Sequence, residues 1–256
     1  MIRIKTKEDI TLLREGGKRH AYILKQVAAL VRPGISLKEL NDATHKLIIE
    51  GGDTPPFLNY KPYGAPRPFP ASVCISLNHE IVHGIPTEGD KVIAEGDVVK
   101  IDLGLSHQGM ITDSAVTVVA GTAKPEVLNI IEHTREALKA GIKAAKGGNR
   151  VGDIGAAIER IAVAHGYGLV EELSGHGVGY DVHEDPYVPN FGEPGKGERL
   201  VPGMVIAIEP IFTLGDRHIV LNRDGWTYET RDGSIATHCE HTVLITKGDA
   251  EVLTIE

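Results

Sequence analysis

A chain of 256 residues with 41% hydrophobic and 24% charged side chains has ordinary globular composition, with length for one large domain or two small ones. A net charge of -8 without any lysine-arginine cluster argues against nucleic-acid readout and against docking on an anionic membrane, and it suits cation binding. The opening MIRIKTKEDI has no apolar signal core, no run approaches the roughly 18 apolar residues of a membrane span, and two cysteines, Cys74 and Cys239, make no disulfide framework, so a cytoplasmic protein is expected.

Ile10, Leu13, Ala21, Leu24, Ala28 and Val31 recur at helical spacing up to Pro33-Gly34, where a first helix should stop. A second begins at Ser36 and Glu39 in capping-box spacing, runs Leu37, Leu40, Ala43 and Leu47 along one face, and ends at Gly51-Gly52. Residues 53–72 are rich in proline and aromatics. From about 72 to 120 short β-type runs dominate, including DVVKIDLGL and MITDSAVTVVA. The order then recurs: a helix at about 125–146, another from Asp153 to about 165 before Gly166, and strand-like material to the end.

An offset of 114 matches Leu37 with Val151, Glu39 with Asp153, Leu40 with Ile154, Ala43 with Ala157 and Leu47 with Ile161. Any two amphipathic helices share such matches, so the repeated helix-helix-strand order carries more weight. Two halves, about 1–122 and 123–256, are expected to join their strands into one antiparallel sheet with helices on one face and a cleft on the other.

In KIDLGLSHQGMITDSAV, a hairpin turning between His107 and Gln108 sets Asp102 directly opposite Asp113 on one face, where like charges need a cation between them. A turn displaced by one residue, or one aspartate facing solvent, is the alternative. Glu209 in MVIAIEPIF and Glu240 before HTVLIT are acids in apolar, strand-like settings, where an unpaired carboxylate is costly. Lys100 or a distant side chain is one possible partner; divalent cations are another. In GHGVGYDVHEDP three glycines free the backbone to present His176 and His183 on a bent loop. Four carboxylates and His176 form an oxygen-rich set suited to two divalent first-row ions.

HEIVH at 79–83 matches the zincin pattern, but strand-like residues precede it and Gly84 and Pro86 would end any helix. On a strand, His79 and His83 lie roughly 13 Å apart and cannot share an ion. His83 ends that strand where a substrate could be met, although with twelve histidines in the chain a surface role is the default for any one of them. No serine elbow, Walker loop or dinucleotide fingerprint is present, and GEPGKGERL reads as a turn.

The motifs NHEIVHGIP, IDLG, TDSA, SGHGVGYDVHEDP, IEP and CEHT, in this order over nearly the whole chain, resemble type I methionine aminopeptidase, of the pita-bread metallopeptidase fold. The resemblance implies an α+β fold of two pseudo-symmetric halves with a curved antiparallel sheet, forming a single catalytic domain over 1–256 with the metal site in the central cleft. It implies that Asp102, Asp113, His176, Glu209 and Glu240 ligate two divalent ions (Co, Mn, Fe or Zn), Asp113 and Glu240 bridging both. It further implies a metal-bridging hydroxide attacking the peptide carbonyl, Glu209 as proton acceptor, and His83 and His183 as substrate contacts that stabilise the oxyanion. Phe69, Cys74 and Trp226 match positions lining a methionine pocket, although core packing would account for each. Removal of the initiator methionine before a small second residue is the implied activity. Peptide or nascent-chain N-termini are the implied partners, with the ribosome as a candidate and a monomer expected.

Pro66, Val182 and His79 depart from the common pattern, which leaves the pocket rim open. The 31-position step from Glu209 to Glu240 leaves no room for a type II helical insert, and no N-terminal zinc-finger extension is seen. An X-Pro peptidase of the same fold is expected to carry a large extra N-terminal domain, for which Asp102 comes too early. A non-catalytic peptide-binding relative would be marked by lost ligands, and all five are present here.

Overall fold

The computed structural model describes residues 2–256. Thr6 caps the first helix: its hydroxyl oxygen accepts from the Asp9 N–H, and the Asp9 carboxylate accepts from the Thr6 N–H. Helix α1 (Lys7–Leu30) turns Leu13, Ile23, Leu24 and Val27 inward, each such burial contributing roughly 1.5–3 kcal/mol. The Ser36–Glu39 capping box expected from the sequence opens α2 (Leu37–Glu50). Strands β1 (Cys74–Leu77), β2 (Glu80–Val82), β3 (Val98–His107) and β4 (Met110–Val119) follow. Helices α3 (Pro125–Ala144) and α4 (Val151–His165) come next, and α4 stops at Gly166 in the left-handed region, which glycine adopts freely.

The second strand-rich region holds β5 (Gly168–Leu169), β6 (Ser174–Gly177), β7 (Glu184–Pro189), β8 (Val205–Ile208) and β9 (Ile211–Thr213). After these come β10 (Ile219–Leu221), β11 (Tyr228–Thr230), β12 (Ala236–His238), β13 (Glu240–Leu244) and β14 (Glu251–Val252). The main sheet runs β1-β3-β4-β13-β8-β6-β7, antiparallel throughout, with β14 beside β13. Its seam, β4 against β13, joins strands that follow the first helical pair to strands that follow the second.

Alternation along β3 decides what each face does. Val99, Ile101, Leu103 and Leu105 pack into a core with Ile23, Leu24, Val27 and Leu40 of the first helical pair. Ile206, Ile208 and Val243 pack likewise against Ile130, Ile154 and Ile158 of the second. Residues of opposite parity, Asp102 among them, therefore point away from the helices into a cleft. This is the α+β pita-bread architecture expected from the sequence.

Candidate metal centre

The β3–β4 hairpin turns on Gln108-Gly109, whose φ angles of 49° and 87° give the two left-handed residues of a type I′ turn. His107 therefore pairs with Met110, and the turn lies one residue later than the sequence reading put it. Asp102 faces Ala115 and Asp113 faces Gly104, so the expected direct pairing of the two aspartates is corrected to a diagonal one. The partner shifts by two residues, which preserves the face, and both carboxylates still enter the cleft.

Cys74, Asp102, Ala115 and Glu240 form one row across β1, β3, β4 and β13. Thr242 pins the neighbouring Asp113: its Oγ accepts the Asp113 N–H at 2.8 Å and its hydroxyl donates to the Asp113 carbonyl at 2.7 Å. Gly104 is required opposite Asp113, because a Cβ there would lie 2.6 Å from Phe57 Cε1. Glu209 follows β8 directly, and the pairing of His241 with Ile208 brings it beside Glu240. His176 sits where the β6–β7 register shifts. A Cβ on the adjacent Gly177 would lie 2.1 Å from the Asp185 carbonyl oxygen, so only glycine admits that strand at this distance.

The His176 Nδ1–H donates to the Gly177 carbonyl at 2.9 Å, leaving Nε2 3.6 Å from Glu209 and 3.9 Å from Asp113. Asp113, His176 and Glu240 offer ligand atoms within 4.8 Å of one another. Burial raises the Asp102 carboxyl to about 6 and the Glu209 carboxyl to about 8. Burial and then the neighbouring acids push Asp113 and Glu240 well above the usual carboxylate range. Burial also depresses the imidazoles, His83 and His176 to about 3 and His238 to about 4.

Among the described residues no lysine or arginine comes within 4 Å of Glu209 or Glu240; their cationic-type neighbours are His176 and His238. Lys100 donates to the Asn78 carbonyl at 2.7 Å, so the salt-bridge alternative built on it is corrected. Asp102 Oδ1, Asp113 Oδ1, Glu240 Oε1 and both His238 nitrogens are buried without a hydrogen-bond partner. Buried acids with open oxygens and no countercharge are a donor set that divalent cations fit.

All ten sequence-predicted site residues line one cleft: Asp102, Asp113, His176, Glu209 and Glu240, with His83, His183, Phe69, Cys74 and Trp226. Phe69 meets Trp226 edge-on at 5.2 Å, within an apolar cluster that includes Phe57, Cys74 and Val182. The His83 ring lies 6.1 Å from that of Trp226, and the His183 ring 4.4 Å from that of His176. Of the three departures only Val182 lines the cleft; Pro66 and His79 are exposed and lie outside its lining. The HEIVH segment is a turn followed by β2, and Glu80 accepts the Leu77 N–H at 2.8 Å, a structural duty.

Three residues escaped the sequence reading. His238 is buried 3.5 Å from Glu209 and 3.8 Å from Glu240. Its spacing of two from Glu240 in an apolar run was the available signal. Tyr60, whose hydroxyl lies 2.8 Å from His183 Nδ1, and Phe57 come from the irregular proline-rich segment, which carries no periodicity to read.

Residues 11–247 match the profile of metallopeptidase family M24. The chain is 44% identical to the methionine aminopeptidase of Aquifex aeolicus over 99% of its own length and 98% of the relative's. It is similar to the crystal structure of methionine aminopeptidase from Thermotoga maritima at a TM-score of 0.94, with 39% identity and 100% of both chains covered. The prolidase from Pyrococcus furiosus is less similar, with a TM-score of 0.77, 27% identity, and 99% of this chain but 65% of that one covered.

Proposed function

The chain belongs to metallopeptidase family M24, and we propose that it removes N-terminal methionine from peptides and nascent proteins whose second residue is small. The observation that carries this reading is the meeting, in one cleft, of five ligand-type side chains, two neutral histidines and an apolar wall beside them. Asp102, Asp113, His176, Glu209 and Glu240 would hold two divalent ions, Asp113 and Glu240 shared between them, with Co, Mn, Fe or Zn compatible with the donor set. Ions bound there supply Lewis acidity toward a peptide carbonyl and lower the pKa of water.

The chain's own groups do the rest. A Glu209 oxygen takes the proton released as water attacks. The Tyr60 hydroxyl lies 2.8 Å from His183 Nδ1; with the hydroxyl as donor, that ring's proton stands on Nε2 for the developing oxyanion, and His83 is the second donor. Phe69, Cys74 and Trp226 receive the methionine side chain, whose polarisable sulfur suits aromatic and thiol neighbours.

We read the chain as one catalytic domain built from duplicated halves, about 1–122 and 123–256. In support, α2 and α4 begin 114 residues apart, each with an acid at its third position, Glu39 and Asp153, bonded back to the cap N–H. We place it in the cytoplasm as a monomer acting on chains emerging from the ribosome. Two free, buried cysteines suit that compartment, and no helix among the described residues is long and apolar enough to cross a membrane.

The test incubates metal-loaded protein with Met-Ala-Ser, Met-Lys-Ser and Ala-Pro-Ser. Methionine release from the first peptide alone is expected. Release of alanine from the third without methionine from the first would establish an X-Pro peptidase instead.

A further inference from the structure

On the helical side of the sheet, none of whose helix residues lines the cleft, α3 and α4 bring together His133, Glu136 and His165. We propose that these three side chains bind a zinc ion, separate from the metals of the cleft. His133 and Glu136 are three apart on α3 and share a face. His165 is the last residue of α4. One ligand atom from each lies within 4.8 Å of the other two.

The surroundings favour a cation. The Tyr167 hydroxyl is 2.8 Å from His133 Nδ1, so Nε2 is the nitrogen left for an ion, in the arrangement by which an outer partner fixes the tautomer of a ligating histidine. Glu132 on the same helix takes Arg135 and Lys139, while Glu136 has no such partner among the described residues. His165 stands at the C-terminal end of α4, where the unpaired carbonyls favour positive charge. The His133 and His165 rings stack with centroids 3.5 Å apart and planes 13° from parallel. His165 is exposed, and its soft χ2 lets the ring tilt so that both imidazoles aim at one point. Two imidazoles, one carboxylate and a water complete the four-coordinate N/O set that zinc prefers.

Equilibrium dialysis against zinc compares the full chain with its His133→Asn/His165→Asn variant. The variant is expected to bind one zinc fewer per chain while its turnover of Met-Ala-Ser is unchanged; an equal zinc content would overturn the proposal. A second measurement needs no substitution. Diethyl pyrocarbonate modification of the unaltered chain, followed by peptide mass spectrometry, should be slowed by zinc at His133 and His165. Equal modification rates with and without zinc would also overturn it. The zinc content and the modification rate are read without the aminopeptidase reading.

Discussion

The His176 Nδ1–H donates to the carbonyl of Gly177, the next residue, at 2.9 Å, and that bond leaves Nε2 as the nitrogen directed at Asp113 and Glu209. A backbone acceptor holds the ring in one tautomer without adding charge to the cleft. His176→Gln removes the aimed imidazole. Metal affinity is expected to fall by at least about 10–100-fold, the loss that outer partners of a ligand alone produce. Equilibrium dialysis with manganese checks this, and unchanged affinity would remove His176 from the centre.

Glu209→Gln keeps the shape of the side chain and removes its ability to take a proton. Turnover of Met-Ala-Ser is expected to drop by about 10²–10⁴-fold, with circular dichroism and the melting temperature showing an intact fold. Full activity in this variant would exclude Glu209 from proton transfer.

The metal-free protein should respond to pH in an unusual direction. Burial lifts the Glu209 carboxyl from 4.5 to about 8, so between those values the folded chain holds a proton that the unfolded chain has released. Stability from this group is full below 4.5 and is lost as pH rises through 8. Metal loading displaces the proton and removes the dependence. The buried histidines His20, His83 and His176, depressed to about 3, and His238 and His241, depressed to about 4, carry the opposite slope up to the ordinary histidine value of about 6.5. The melting temperature of the metal-free protein is therefore expected to fall between about pH 7 and pH 8, and that of the manganese-loaded protein is not. Calorimetry at pH 7 in buffers of different ionisation enthalpy should record proton release on metal binding.

Lys5 and Glu184 form a buried pair at 2.7 Å, with side chains 1% and 2% exposed. The other Glu184 oxygen accepts the N–H groups of Tyr180 and Asp181 at 2.6 Å and 3.1 Å, which clamps the loop that carries His183. Arg3 also reaches Glu184, at 3.1 Å, so Lys5→Met leaves the carboxylate one cationic partner, and the loss read by urea unfolding should fall below the roughly 3–5 kcal/mol of a fully stranded buried charge. Adding Glu184→Gln should recover part of the loss, because the buried charge that lost its buried partner is then gone.

Much of the fold was legible where local rules coincide. The Ser36–Glu39 box and Gly166 mark their helix ends by side-chain chemistry alone. The shared face of Asp102 and Asp113 survived a misplaced turn because a two-residue change of partner preserves parity. Their register did not survive, since Gln108 in the left-handed region is not a residue choice that announces a type I′ turn. The inward face of α1 also includes Gly16, Gly17 and His20, which hydropathy does not mark. Gly17 is needed because a Cβ there would lie 2.2 Å from the Leu253 carbonyl oxygen, a contact set by a strand end more than two hundred residues away. His238 and Tyr60 belong to the same class: their positions follow from how distant segments meet.

Crystals of the full chain grown with excess manganese, with anomalous differences recorded, measure the central claim directly. Two peaks are expected in the cleft, within reach of Asp102, Asp113, His176, Glu209 and Glu240. A cleft without anomalous density, its carboxylates turned apart, would contradict the assignment of these five side chains as a metal centre.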